Sequence, residues 1–222
     1  MTVQHGQNEE WANHPPRIIL FLKAPRRGGV KTRLAKVFGN ERALRIYRAL
    51  VEQQVRALPS GWPAEICFDP PDAGQEMRDW LGGRFSYRAQ VGGDLGDRMA
   101  NAVQSAFEEG ESSVLCIGAD CPGLGLTELM EAERMLNGKN DLVFGPARDG
   151  GYYLLGMKGY YPEVFAEIPW SASNTLEVSL DRARSAGRHI SFLKEKVDID
   201  VAEDWLEYLN APQAPAEMKQ IR

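Results

Sequence analysis

The sequence predicts an α/β fold, a mainly parallel sheet covered by helices on both faces, and three observations carry that expectation. Short apolar runs bounded by glycine, proline or aspartate alternate with stretches of helical spacing along most of the chain. The 222 residues, 43% apolar and 26% charged, suffice for one domain with a full core. No apolar run approaches the roughly 20 residues of a membrane span, and no internal repeat or linker interrupts the alternation.

Residues 18–22 are apolar, too short for a helix, and end in Lys23-Ala24-Pro25, which marks a first buried strand and its loop. Residues 33–57 carry Leu34, Val37, Leu44, Ile46, Tyr47, Leu50, Val51 and Val55 at helical spacing, with a break at Gly39-Asn40. Strands are expected at 64–68, 85–91 and 113–117, separated by helices over 73–81 and from the glycine-rich 92–96 through Phe107. A helix over 125–136, strands at 142–144 and 152–157, a helix over 173–186, a strand at 190–193 and a helix over 201–209 complete the series. Residues 1–16 are expected to be a disordered tail, 17–210 the domain, and 211–222 a second tail.

Composition narrows the functions. A net charge of −5 leaves no broad basic face, so a protein that tracks nucleic acid by charge is not expected. The three cysteines, Cys67, Cys116 and Cys121, form no CxxC pair, which suits reduced thiols in the cytoplasm. The N-terminus lacks the cationic start and apolar run of a signal peptide. Oligomeric state is left open.

In an open α/β sheet, ligands bind beyond the carboxyl ends of the strands. The first such loop places Lys23, Arg26, Arg27, Lys31 and Arg33 around Gly28 and Gly29 just before a helix, a phosphate cradle in composition. Neither GxGxxG nor GxxxxGK[ST] is present, because Val30 precedes Lys31-Thr32 and Pro25 holds the first glycine position. A solvated basic loop capping a helix is the plainer alternative.

Asp120 ends the strand at 113–117, where Pro122 stops the ladder, and is the candidate metal ligand; a turn before proline would also explain it. Asp198 and Asp200, on one side of an alternating backbone, supply a second carboxylate, although Asp200 could instead cap the last helix. Asp149, followed by Gly150 and Gly151, is placed to act as general base or to form a hairpin turn, and both can hold at once. Gln90, ahead of Gly92-Gly93-Asp94, offers an amide to a nucleobase edge, and Asp94 is an equally good helix cap. Trp170 stands out among the tryptophans for its Pro-Trp-Ser setting.

Taken together, residues 23–34, Gly-Asp-Leu-Gly-Asp-Arg-Met (93–99), Gly-Ala-Asp-Cys-Pro (118–122), Asp-Gly-Gly-Tyr-Tyr-Leu-Leu-Gly (149–156), Ile-Pro-Trp-Ser (168–171) and Asp-Ile-Asp (198–200) resemble a bacterial glycosyltransferase A-like family of nucleotide-diphospho-sugar transferases. That family is related to the guanylyltransferases of molybdenum-cofactor synthesis. The resemblance implies a three-layer α/β/α fold with a mainly parallel mixed sheet, and Mg2+ or Mn2+ on Asp120 with Asp200, Asp198 being the near competitor. It also implies that Thr32-Arg33-Leu34 belongs to a phosphate-wrapping loop. Arg27, Ala172 and Val201 depart from the family pattern, the last two by loss of a hydroxyl.

The activity expected is transfer of a sugar from a nucleotide diphosphate to a small acceptor. Lys31 and Arg33 would steady the diphosphate, Gln90 and Gly93 would lie near the base, and Asp149 would serve the acceptor hydroxyl. Nucleotidyl transfer from a triphosphate to a phosphorylated acceptor is the rival enzyme reading. A nucleotide-binding module without turnover is a third, against which the acidic pair counts.

Overall fold

The computed structural model describes residues 14–212 and 214–221, so all but the last three residues of the expected N-terminal tail lie outside the described residues. In chain order the elements are β1 (Arg17–Lys23), α1 (Thr32–Phe38), α2 (Asn40–Ala57), β2 (Ala64–Asp69), α3 (Gly74–Leu81), β3 (Ser86–Ala89), α4 (Leu95–Glu108) and β4 (Val114–Ile117). They continue with α5 (Leu126–Leu136), β5 (Leu142–Pro146), β6 (Tyr152–Met157), α6 (Thr175–Ser185), β7 (Ile190–Phe192), α7 (Ala202–Asn210) and α8 (Ala216–Lys219). The expected helix–strand alternation is observed, and Gly39 (φ 78°) separates α1 from α2.

The seven strands form one sheet in the order β3-β2-β1-β4-β6-β5-β7. All neighbours are parallel except β6, which runs antiparallel to both β4 and β5. From β1 the chain winds outward through β2 to β3 and then returns to β4 on the other side of β1. The loops after β1 and β4 therefore diverge from a common point, where such sheets open a crevice at their carboxyl ends.

β1 shows why these strands read as unbroken apolar runs: Ile18, Leu20 and Leu22 pack on one face and Ile19 on the other. The first face is covered by α2, α3 and α5 through residues such as Val51, Met77 and Leu129. The second is covered by α4 and α6 through Met99, Val103 and Ala183. This is the three-layer arrangement expected.

β3 is shorter than the expected 85–91, its ladder ending where the Gln90 N–H donates to the Phe68 carbonyl at 2.8 Å. The C-terminal segment differs more. Residues 211–222, expected as a tail, contribute α8, whose Met218 is fully buried with Leu34, Ile46, Ile199 and Trp205. A helix of four residues is too brief to register as a period, yet this small cluster braces α1 and the segment before α7. Met218→Ala is expected to cost about 2 kcal/mol or more, read as a lowered urea midpoint at unchanged m-value.

Candidate functional site

Beyond β7 the chain continues without a regular strand but stays hydrogen-bonded. The Leu193 N–H donates to the Phe144 carbonyl (2.8 Å), the Lys196 N–H to the Pro146 carbonyl (3.0 Å), and the Ile199 N–H to the Asp120 carbonyl (2.8 Å). The 193–200 segment thus crosses the carboxyl ends of β5 and β4, carrying Asp198 towards Asp120. Asp149 is brought in by the β5–β6 hairpin turn, with Gly150 at φ 90° and the Gly151 N–H donating to Asp149 Oδ1 at 2.8 Å. Turn and site coincide there.

At the centre lies Lys31. Its backbone is left-handed (φ 47°), which turns the side chain inward until only 4% of it is exposed. The ammonium sits 2.8 Å from Asp120 Oδ1 and also donates to the Ile199 carbonyl. Lys31 therefore does not project into the loop as a free phosphate ligand; it joins three segments remote in sequence.

The three carboxylates interact. Asp198 is pushed up to about 6, first by burial and then by the negative charges of Asp149 and Asp120, with a backbone hydrogen bond and Lys31 opposing. Asp200 faces elsewhere, its carboxylate ion-paired with Arg33 and its backbone N–H donating to Asp204 at 3.1 Å. Nor does it cap α7: Val201 takes that position, and Asp204 receives the Val201 N–H at 2.9 Å. The resemblance points to Asp200 as the partner of Asp120, whereas in the structure Asp198 is the carboxylate that lies with Asp120 and Asp149, and Asp200 is paired with Arg33.

The basic loop is also less free than its composition suggests. Arg26 pairs with Asp72 (3.2 Å) and Glu76 (2.9 Å), Arg27 lies 3.9 Å from Glu41, and Arg33 is held by Asp200. Gly28 takes φ 79°, and the Gly29 N–H closes a turn onto the Arg26 carbonyl at 3.0 Å. Helix α1 has seven residues and no side-chain cap, so its dipole contributes little. Lys23 is exposed at the end of β1, where its backbone N–H and carbonyl are bridged by the Tyr47 hydroxyl at 2.9 and 2.7 Å.

Gln90 uses its amide internally, donating to the carbonyls of Cys67 (2.8 Å) and Leu22 (3.2 Å), so its donor is not free for a base edge. The Gly93 N–H donates to Asp97 (3.1 Å), and Asp94 caps α4 through the Asp97 N–H (2.9 Å), the alternative held open above. Trp170 packs its indole over Gly96, where a Cβ would stand 2.3 Å from Nε1, and lies edge-on to Tyr152. It fastens the 168–175 loop to the start of α4. On the other side the same loop abuts Gly150, where a Cβ would stand 1.8 Å from the Ser173 carbonyl.

Asp69, at the end of β2 and 3.4 Å from Arg98, was not singled out, although Asp69-Pro70 repeats the strand-end aspartate signal of Asp120. A cleft of about 370 Å³ between β3 and α4, lined by Arg88, Gln90, Arg98, Asn101 and Glu108, includes none of the three aspartates. All three thiols are buried, and burial raises each, Cys121 to about 12, which leaves them unreactive.

A carboxyl raised in the folded state binds more protons folded than unfolded between roughly pH 4 and 6. Its stabilising contribution is present below that range and lost as pH rises through about 6. Asp198→Asn is therefore expected to stabilise the metal-free protein at pH 8 by on the order of 1 kcal/mol, discounted for partial exposure, or about 2–4 °C in Tm. Near about pH 4 the gain should vanish, which thermal melts in EDTA would check. Gly150→Ala is expected to destabilise by about 2 kcal/mol or more through clash and strain, read by urea denaturation.

The family that matches residues 52–172, more than half of the chain, is described as "Uncharacterized protein conserved in bacteria (DUF2064)". No curated protein matches. Among solved structures, a "putative nucleotide-diphospho-sugar transferase" from Desulfovibrio desulfuricans G20 is 32% identical with a TM-score of 0.85, covering 93% of this chain and 91% of that one. Glucosyl-3-phosphoglycerate synthase from Mycobacterium tuberculosis, in complex with Mn2+, uridine diphosphate and glucosyl-3-phosphoglycerate, matches at a TM-score of 0.55 and 10% identity, over 94% of this chain and 81% of that one. 4-Diphosphocytidyl-2C-methyl-D-erythritol synthase from Anaerococcus prevotii DSM 20548 matches at 0.55 and 12%, over 86% and 92%. The last two likenesses concern the fold. The chain belongs to this bacterial family and is an enzyme of transferase type on the nucleotide-diphospho-sugar transferase fold.

Proposed function

We propose that the enzyme transfers a sugar from a nucleotide diphosphate to a small hydroxyl-bearing acceptor, with Mg2+ or Mn2+ held by Asp120 and Asp198. The observation that carries this reading is the meeting of Asp120, Asp198 and Asp149 at the strand ends with one buried ammonium among them. The donor set suits a hard divalent cation, and such a charge would offset both the burial that chiefly raises Asp198 and the repulsion by Asp149 and Asp120 that adds to it. Among the described residues no three metal-ligating side chains form a chelate by themselves. Magnesium needs only one or two carboxylates when phosphate oxygens complete its shell, so the nucleotide itself is the remaining ligand.

A bound divalent cation supplies charge neutralisation at the departing diphosphate. The chain's own groups do the rest. Lys31 and Arg33, each once it leaves the aspartate it is paired with here, bind diphosphate oxygens, and Gly28, Gly29 and Gly93 let the backbone come close to the nucleotide. Asp149, oriented by the Gly151 N–H on Oδ1, takes the acceptor proton at Oδ2. Gly150, Gly151 and Trp170 hold that carboxylate and the rim beside it in place. The reducing cytoplasm is the setting we assign, in keeping with three free thiols.

The experiment is incubation with nucleotide sugars or with nucleoside triphosphates, plus Mg2+ and a panel of hydroxylated and phosphorylated acceptors. Release of nucleoside diphosphate is expected; pyrophosphate instead would assign the protein to nucleotidyl transfer. Asp120→Ala and Asp198→Asn are each expected to lower kcat/KM about 100-fold or more. A loss at Asp200→Asn as large as at Asp198→Asn would overturn the ligand assignment.

A further inference from the structure

Lys31 belongs to the loop that composition associates with phosphate, yet its ammonium is spent on the carboxylate that the metal requires. Only 4% of the side chain is exposed, it lies 2.8 Å from Asp120 Oδ1, and its second bond is to the Ile199 carbonyl, one residue from Asp198. A buried ammonium deprived of its carboxylate is costly, because the Ile199 carbonyl alone is left to it and no counter-charge. Asp120 is 52% exposed, but its Oδ1 is taken, so a cation that arrives alone either stays on the outer oxygen beside the ammonium or displaces Lys31, and each leaves two positive centres together. A diphosphate arriving with it supplies the anion that the displaced ammonium needs.

We propose that Lys31 is the counter-ion that the metal-free site keeps for Asp120, so that divalent cation and nucleotide diphosphate bind as a coupled pair. The cation takes Lys31's place at Asp120 and the ammonium passes to the diphosphate. This rests on the metal reading of the preceding section. It adds an order to binding: the free cation binds weakly, each ligand tightens the other, and by linkage the two enhancements are equal. Lys31 is then a positioning residue for Asp120 in the empty site and a phosphate ligand in the filled one.

The test is titration of the whole protein with Mn2+ alone, the free ion counted by electron paramagnetic resonance, in wild type, Lys31→Met, Lys31→Gln, Arg26→Gln and Asp120→Asn. Removing the competing ammonium should tighten Mn2+ binding by about tenfold or more in Lys31→Met. Lys31→Gln, which can keep the bond to the Ile199 carbonyl without charge, should do likewise and serves if Lys31→Met does not fold. Arg26→Gln removes an equal charge from the same loop, but from Asp72 and Glu76, and should change binding by less than about threefold. Mn2+ binding that Asp120→Asn abolishes but neither Lys31 variant tightens would overturn the exchange and leave the metal reading standing. No Mn2+ binding by any variant, even with uridine, cytidine, guanosine or adenosine diphosphate present, would overturn both.

Discussion

The pairing of the buried Lys31 ammonium with Asp120 is the contact on which the geometry of the strand ends depends. It ties the loop after β1 to the loop after β4 and, through the Ile199 carbonyl, to the segment leading into α7. The lysine reaches that position only because its backbone adopts a left-handed conformation, which for a residue with a Cβ costs on the order of 1–2 kcal/mol. A strained backbone that delivers a charge into a nearly closed space persists only where surrounding contacts determine it. Here Val30 is buried on one side and Leu34 on the other. The site is thus built from the core outward.

The fold was legible in the sequence because its strands are buried on both faces and its helices on one, giving two different apolar patterns in alternation. The mainly parallel sheet and the β5–β6 hairpin at Asp149-Gly150 were legible, but the placing of β6 antiparallel beside β4 was not. A run such as Tyr152–Met157, buried from its second residue onward, carries no mark of whether it runs with or against β4. Of the candidate site, the placing of Asp120 and Asp149 at strand ends was legible, since aspartates within two residues of glycine or proline after an apolar run are local signals. The choice between Asp198 and Asp200 was not. Alternation assigned both to one side, but 193–200 holds to the strand ends by separate bonds at Leu193, Lys196 and Ile199 rather than by a continuous ladder, and freed from the pleat the two side chains diverge, one toward Asp149 and Asp120, the other to Arg33.

Glycines at the site have two physical roles that spacing alone does not separate. Gly96 and Gly150 are small because another part of the protein occupies the space: the indole of Trp170 in one case, the Ser173 carbonyl in the other. Both neighbours belong to the 168–175 loop, whose fold is further pinned by the Thr175 hydroxyl bonded to the carbonyls of Pro169 and Ala172, each at 2.8 Å. That loop bridges the glycine-rich turn before α4 and the hairpin that carries Asp149, so each rim is packed against the other through it. A carboxylate held this way is oriented before any ligand arrives.

The same reasoning applies to the cations of the first loop. Arg26, Lys31 and Arg33 each meet an aspartate or glutamate, Arg27, 3.9 Å from Glu41, is loosely held, and Lys23 is exposed at the end of β1. A basic loop so compensated is a weak attractor of free phosphate in a protein whose net charge is −5. Binding a diphosphate there requires an exchange of partners, in which carboxylates give up their cations and something positive replaces them. Only a cation that arrives with the phosphates satisfies both halves of that exchange without leaving a buried charge alone. On the function proposed above, a site of this construction selects for the metal complex of a nucleotide over either component, through charges already present before any ligand binds.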